Sequence, residues 1–177
     1  MRRAAVALLA CLAGCGGGDK LKSAPPAVPR QLTVTSPDFP ADGAIPARFS
    51  CDGDKARPAL RFAGVPAGAA ELALVVVDPD AGGFVHWTAY GIPPRTRRLG
   101  ATALPRGARE GENSFGDRGW GAPCPPKGDG PHRYAFVVYW LRRPSALASG
   151  ASPGDALARI GERAGGSGRL VARFGRA

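Results

Sequence analysis

The stretch that decides the fold runs from Val75 to Trp87 and reads VVVDPDAGGFVHW. Three β-branched residues lead into two acidic residues, a short Gly82-Gly83 link follows, and a second apolar run carries a histidine and a tryptophan. Runs of this kind, separated by Asp, Pro and Gly, are typical of strands joined by a turn. The stretch therefore predicts a buried strand, an acidic turn and a second strand that carries His86.

Similar β-rich runs recur along the chain between clusters of Pro and Gly, and their spacing favours a β-sandwich or a β-barrel. We predict strands at Leu32–Thr35, Leu72–Val77, Phe84–Tyr90 and Tyr134–Leu141. One late segment differs, because Ser152 and Pro153 form a helix start and apolar residues follow at helical spacing. We expect this short C-terminal helix to span 153–164 and to be stopped by Gly165-Gly166, with Arg169–Phe174 returning as a strand or as irregular chain.

Composition limits the class of protein. The 177 residues include 26 glycines and 18 prolines, yet 44% are hydrophobic, which favours a loop-rich globule over a disordered chain. No apolar run reaches 18 residues, so we expect no membrane-spanning helix. The net charge is +10, with the basic residues scattered; this is typical of a solvated surface, and attraction to nucleic acid is the weaker alternative. We therefore predict no nucleic-acid partner.

The N-terminus has the pattern of a secretion signal. Arg2 and Arg3 precede an apolar stretch that is too short to span a bilayer, and small residues follow. The tetrapeptide LAGC ending at Cys15 resembles the lipobox of bacterial lipoproteins, in which the cysteine thiol is acylated and the chain is cut just before it. We predict a signal peptide at 1–14 and lipidation at Cys15; the alternatives are an ordinary signal peptide or cleavage before Cys11.

The predicted anchor defines three parts of the chain. Residues 15–30 are rich in Gly, Pro and charge and have no apolar period, so they are expected to form a flexible tether with a reach of about 20 Å. Residues 31–177 show no second linker and are expected to form one domain. We predict a lipid-anchored protein on the periplasmic face of the cell envelope, and Gly16, in place of an aspartate, favours the outer membrane over the inner one.

Two cysteines, Cys51 and Cys124, remain in the predicted domain. An even number in an exported chain favours a disulfide, although two separate thiols remain the alternative. If they are joined, the closed loop of about 74 residues stabilises the fold by about 4 kcal/mol on the chain-entropy model. No Cys-x-x-Cys spacing is present, so nothing here points to a zinc site.

The chain contains two histidines, and both lie among rigid and polar residues. Side chains alternate between the two faces of a strand. In the predicted strand that contains His86, one face should carry Phe84, His86, Thr88 and Tyr90. In the strand that follows His132, one face should carry His132, Tyr134, Phe136 and Val138. Each feature also has a purely structural interpretation. The aspartates at 78 and 80 could be ordinary turn residues, His86 a satisfied core histidine, and His132 part of a polar surface.

Six short stretches, in this order, resemble the phosphatidylethanolamine-binding protein family, and specifically its bacterial branch described as Raf-kinase-inhibitor-like. They are Ser50–Asp54 (SCDGD), Asp78–Ala81 (DPDA), Val85–Trp87 (VHW), Asn113–Gly116 (NSFG), Gly119–Pro126 (GWGAPCPP) and His132–Tyr134 (HRY). The resemblance implies an all-β-dominated fold, an antiparallel β-sandwich with a small anion pocket at one end. It also implies that Asp78, His86, His132 and Tyr134 line the pocket, with Asp80 beside them and the loop containing Pro125 as a wall.

This set of side chains suits an anionic ligand. Imidazole and phenol groups can donate hydrogen bonds to a phosphate or a phospholipid head group, and Asp78 is expected to orient a histidine and raise its pKa. We therefore expect a membrane-tethered binding protein that is not an enzyme and holds no cofactor or metal, with regulation of a partner protein as a second expected role. The alternatives are an inhibitor of an envelope protease or kinase through protein contact, and a metal-dependent hydrolase that uses both histidines and both aspartates.

Overall fold

The structure, a computed structural model, describes residues 24–177. The predicted signal peptide at 1–14, the lipidation at Cys15 and the first part of the predicted tether lie outside the described residues. Within residues 24–177 the regular elements are eight strands and one α-helix: β1 (Thr33–Thr35), β2 (Leu60–Ala63), β3 (Glu71–Asp78), β4 (Phe84–Ile92), β5 (Arg98–Leu99), β6 (Arg109–Glu110), β7 (His132–Leu141), α1 (Pro153–Arg163) and β8 (Ala164–Phe174), with one 3-10 turn at Ala47–Phe49.

The strands form two antiparallel sheets. The larger sheet has the order β6-β4-β3-β7-β8 and the smaller has the order β1-β2-β5. One apolar core, which includes Trp87, Phe136 and Leu170 from the large sheet and Val34 and Phe62 from the small one, fills the space between them. The predicted all-β antiparallel sandwich with one C-terminal helix is therefore confirmed.

A second apolar core lies on the outer face of the large sheet. Leu157 and Ile160 of α1 pack there against Tyr139 and Leu141 of β7. The helix begins as predicted, since the Ser152 hydroxyl accepts a hydrogen bond from the Asp155 N–H at 3.1 Å and Pro153 occupies the first turn. Among residues 24–177, no helix is long and apolar enough to cross a membrane.

The expected role of Gly165-Gly166 as the stop of the helix is wrong. The helix ends at Arg163, and both glycines lie inside β8. The ring of Trp140 covers them so closely that a Cβ at Gly165 would lie 2.0 Å from the indole. These glycines are therefore required by the approach of Trp140 and not by a turn.

The segment just before β1, the last part of the predicted tether, packs on the domain. The Tyr139 hydroxyl donates to the Pro26 carbonyl at 3.0 Å, and the Ser167 N–H donates to the Pro29 carbonyl at 2.9 Å. Val28 packs against the outer core. The expected flexible boundary at Arg30 is therefore wrong for residues 26–30, because composition alone does not show that a proline-rich segment has a surface to bind.

Candidate functional site

One end of the large sheet encloses a cavity of about 110 Å³. Because β3 runs antiparallel to both neighbours, its last residues lie beside the first residues of β4 and β7, as the pairs Asp78↔Phe84 and Val77↔Ala135 show. The cavity is lined by Asp78, Ala81, Phe84, His86, Phe115, Cys124, Pro125, Pro126, His132 and Tyr134. Five of the six predicted ligand-binding residues are therefore brought together, and Asp80 is the exception.

A β-bulge in β4 lies at His86, which shares the cavity face with Phe84, and it reverses the face of the residues that follow. Val76 pairs with Trp87 and Val77 pairs with Val85, so His86 is the extra residue of the strand. A bulge changes which face the following residues occupy. The predicted shared face is therefore wrong for Thr88 and Tyr90, since Tyr90 packs in the outer core together with Val85.

Asp78 organises both the turn and the pocket. Its carboxylate is buried, and Oδ1 accepts hydrogen bonds from the N–H groups of Asp80 (2.9 Å) and Ala81 (3.0 Å). The other oxygen, Oδ2, lies 2.7 Å from Nδ1 of His132. This carboxylate is therefore occupied by the protein itself, and it positions His132 as the sequence predicts.

The two histidines have opposite electrostatic surroundings. Burial lowers the pKa of His132, but the hydrogen bond and charge of Asp78, assisted by Asp129, outweigh that effect and raise the pKa above its usual 6.5. The pKa of His86 is lowered, because desolvation of its buried ring outweighs the nearby carboxylate of Asp78. Near neutral pH, His132 is the ring that can carry charge, and His86 stays neutral.

The neutral ring has one defined tautomer. Nδ1 of His86 lies 2.8 Å from the Gly121 carbonyl oxygen, which can only accept a hydrogen bond. The proton is therefore on Nδ1, and Nε2 keeps its lone pair. His86 offers the cavity an acceptor, which differs from the expectation that both imidazoles act as donors.

Tyr134 contributes to the cavity a hydroxyl that has no hydrogen-bond partner within the described residues. Its side chain is fully buried, its ring lies edge-on to His86 at 5.2 Å, and within the described chain its hydroxyl has no hydrogen-bond partner. Burial, the charge of Asp78 and the proximity of the hydroxyl to that carboxylate raise the pKa of Tyr134, so the hydroxyl stays protonated at neutral pH. A buried hydroxyl that lacks a partner costs about 1–3 kcal/mol, so this group is suited to a ligand or water that accepts its proton.

Asp80 does not line the cavity, which corrects its predicted place among the ligand-binding residues. Its Oδ2 accepts a hydrogen bond from the backbone N–H of Arg133 at 2.8 Å, and both oxygens bind the Arg133 guanidinium. The Arg133 hydrogen bonds lower the pKa of Asp80 to about 2. The sequence could not indicate this pairing, because the two residues meet only when β7 aligns beside β3.

The proline-rich wall is held from two sides. Cys51 and Cys124 form a disulfide with Cα atoms 5.3 Å apart, and the Cys51 N–H donates to the Pro123 carbonyl at 3.0 Å. Near the C-terminus, Arg176 binds the carboxylate of Asp52 at 2.8 Å and lies against the wall. Pro125 and Pro126 are thus fixed before any ligand binds, which reduces the entropy lost on binding.

Two aromatic residues line the mouth and were not predicted as site residues. Phe115 is 50% exposed, and its ring packs on Phe84 at 4.7 Å and on His86 at 5.6 Å. The loop that carries it is held by Asn113, whose Oδ1 accepts from the Phe115 N–H at 2.9 Å and whose Nδ2 donates to the Gly119 carbonyl at 3.0 Å. The motif NSFG was the available signal, but it does not say which side its phenylalanine faces.

The side chains of a metal site are not gathered here. Within residues 24–177, no group of three or more His, Cys, Asp or Glu side chains is placed to hold a metal ion. Asp80, one of the four residues of the metal-hydrolase alternative, is instead bound to Arg133.

Comparisons with known proteins bear on the family and the fold of the chain. The family model described as phosphatidylethanolamine-binding protein matches residues 35–175. The chain is 42% identical over 189 aligned positions to a Mycobacterium tuberculosis protein named "Putative lipoprotein LppC", covering 97% of this chain and 93% of that protein. Among solved structures, Escherichia coli YbcL superposes with a TM-score of 0.78 at 29% identity, covering 83% of this chain and 99% of YbcL. CT736 of Chlamydia trachomatis gives a TM-score of 0.76 at 30% identity, covering 84% and 99%.

Proposed function

Because the chain belongs to the phosphatidylethanolamine-binding protein family, we propose that it is a binding protein whose pocket takes a single phosphate-type head group and does not transform it. The observation that carries this proposal is the pair of donors that face one small cavity. Asp78 lies 2.7 Å from His132 and favours its charged form, and the Tyr134 hydroxyl is buried without a partner in the described chain. The Tyr134 hydroxyl can donate directly to an oxygen of an anion. Nδ1 of His132 is occupied by Asp78, so its Nε2–H, which lies 3.4 Å from the exposed Asp129 carboxylate, is the donor that an anion would take over.

The size and charge of the pocket limit the ligand. A cavity of about 110 Å³ equals the liquid volume of three or four waters at ~30 Å³ each, so it accommodates one tetrahedral group and not a whole lipid. The lining carries one cationic ring and one carboxylate, and His86 adds an acceptor. This combination favours a phosphate group that still carries one proton, since its P–OH can donate to Nε2 of His86.

The lining also favours binding over chemistry. It contains no serine, threonine or lysine, and its one cysteine, Cys124, is tied in the disulfide. The raised pKa of Tyr134 makes its phenolate an inaccessible nucleophile near neutral pH. These features support a pocket that holds an anion without forming a covalent intermediate.

A membrane tether completes the proposal. LppC is named as a lipoprotein, and the chain begins with a signal-like segment that ends in LAGC at Cys15. We infer that acylated Cys15 anchors the domain to the cell envelope, where lipid head groups and their phosphate products are the available anions. Metabolic labelling with a fatty acid should mark the wild-type chain and not Cys15→Ser; equal labelling of both would contradict the anchor.

Calorimetric titration with inorganic phosphate and with dimethyl phosphate tests the pocket. Phosphate should bind, dimethyl phosphate should bind more weakly because it lacks a proton for His86, and His132→Gln should weaken phosphate binding at least tenfold. The matched control is Arg133→Gln, which removes a neighbouring cation that does not line the cavity. Equal phosphate affinity of wild type and His132→Gln would refute the proposal.

A further inference from the structure

A groove lies on the outer face of the large sheet, away from the histidine pocket. One wall is the segment 24–30, which we call the N-terminal strap, and the floor is formed by Val77, Ala135 and Val137 of the sheet. The deeper part has a volume of about 330 Å³, within the range of small-molecule sites in proteins.

The strap is a fixed wall. Its carbonyls at Pro26 and Pro29 accept hydrogen bonds from the Tyr139 hydroxyl and the Ser167 N–H, and Pro25 and Pro26 restrict its backbone. A wall that is already ordered loses little entropy when a ligand binds. The groove is therefore a preformed feature of the domain.

The groove is long and largely apolar. A second cavity of about 400 Å³ shares Pro25, Val77 and Pro79 with the first and continues to Gly82-Gly83. Its only acidic lining residue is Asp80, whose carboxylate is bound by Arg133. The shape suits an extended hydrocarbon chain rather than a compact polar molecule.

One end of the groove is cationic. Arg30 on the strap and Arg169 on β8 line the deeper cavity together with the hydroxyl-bearing Ser167. Arg169 pairs directly with Val137, so its side chain rises from the same sheet face as the apolar floor. No carboxylate lines this cavity, and among residues 24–177 neither arginine forms an ion pair. The end of the groove thus lacks the negative charge that would complement its two guanidinium groups.

From this charge complementarity we propose that the groove binds a single-chain amphiphile, with its alkyl chain along Val77 and Val137 and its anionic head group between Arg30 and Arg169. The apolar floor would bury the alkyl chain of the ligand, and the two guanidinium groups would donate hydrogen bonds to its anionic head group. The proposal does not rest on the phosphate pocket, because no residue is shared between the linings of the two sites.

Calorimetric titration of the full chain carrying Cys15→Ser, so that no attached lipid competes, tests the proposal. The probes are octanoate, decanoate and dodecanoate, with decanol as the uncharged match. Affinity should rise about fourfold per added methylene until the groove is filled. The double variant Arg30→Glu/Arg169→Glu should weaken decanoate binding at least tenfold and leave decanol unchanged.

Two matched controls should bind decanoate like the parent chain. Arg173→Glu makes the same charge change on the same strand without lining the groove, and His132→Gln alters the phosphate pocket alone. If phosphate does not bind, but decanoate binds and loses affinity in the Arg30→Glu/Arg169→Glu variant, the pocket proposal fails and the groove proposal stands.

Several outcomes would overturn the proposal. The proposal fails if decanoate does not bind, if it binds the double variant as well as the parent chain, or if its binding is lost in His132→Gln. Binding to vesicles of anionic phospholipid without binding of dispersed decanoate would make this face a membrane-docking surface instead. Binding that appears only after proteolysis removes the residues before Ala24 would mean that the chain's own N-terminal segment fills the groove.

Discussion

Replacing Tyr134 by phenylalanine should weaken phosphate binding without lowering the stability of the fold. The change removes one hydroxyl that is buried without a hydrogen-bond partner in the described chain and leaves the ring packed beside His86. Because an unpaired buried hydroxyl costs about 1–3 kcal/mol, Tyr134→Phe should leave the free energy of unfolding unchanged or raise it by about 1 kcal/mol. A hydrogen bond to a charged ligand contributes about 1.5–3 kcal/mol, so phosphate affinity should fall roughly 10- to 150-fold.

Urea unfolding measures the free energy of unfolding, and calorimetric titration with inorganic phosphate measures the phosphate affinity. Tyr90→Phe is the matched control, because the Tyr90 hydroxyl donates to the Ala148 carbonyl at 2.6 Å and lies in the outer core. That variant should lose about 0.5–1.5 kcal/mol of stability and keep its phosphate affinity. A Tyr134→Phe protein that is clearly less stable than wild type and binds phosphate equally well would refute the argument.

Three further outcomes are expected. Phosphate affinity should be full below pH 6.5 and decline as the pH rises through the raised pKa of His132, so an affinity measured by titration that is constant from acid to alkaline pH would exclude a charged imidazole. Asn113→Ala removes hydrogen bonds that hold the loop of Phe115 and should lower the free energy of unfolding by about 2–3 kcal/mol while weakening phosphate binding; unchanged urea unfolding would contradict this role. Replacing Cys51 and Cys124 together by alanine opens a loop with a sequence separation of 73 and should cost about 4 kcal/mol on the chain-entropy model. Thermal unfolding of the variant and of the oxidised wild type measures this difference, and the reduced wild type is the control that should match the variant.

The long strands were predictable because each contains many β-branched and aromatic residues in succession. Residues 71–78 of β3 are all buried, and β7 and β4 carry enough β-branched and aromatic residues to be recognised from either end. β5 and β6, with two residues each, are too short to show a period, and they exist because β2 and β4 offer edges to pair with. The strap before β1 was misjudged for a similar reason, since its order comes from Tyr139 and Ser167 and not from its own composition.

In the site, residue identity was predictable and residue role was not. The motifs named Asp78, His132 and Tyr134, and the structure places all three at one cavity. The bulge that places Tyr90 on the opposite face from His86, the carbonyl of Gly121 that sets the His86 tautomer, and the partner of Asp80 all depend on strand alignment. A pKa follows from the local environment of a group, so two histidines that look alike in sequence have opposite shifts.

By itself, the amino-acid sequence determined a β-rich protein, because that information lies in the local periods of the strands. The antiparallel sandwich and the phosphatidylethanolamine-binding family followed from the resemblance of its contiguous motifs. Only the tertiary structure decided that Asp78 raises the pKa of His132, that Nε2 of His86 keeps its lone pair, that Asp80 pairs with Arg133, and that a groove with a cationic end lies beside the strap. These properties arise between residues far apart in the chain, where burial and strand register set the energy of each charge and hydrogen bond.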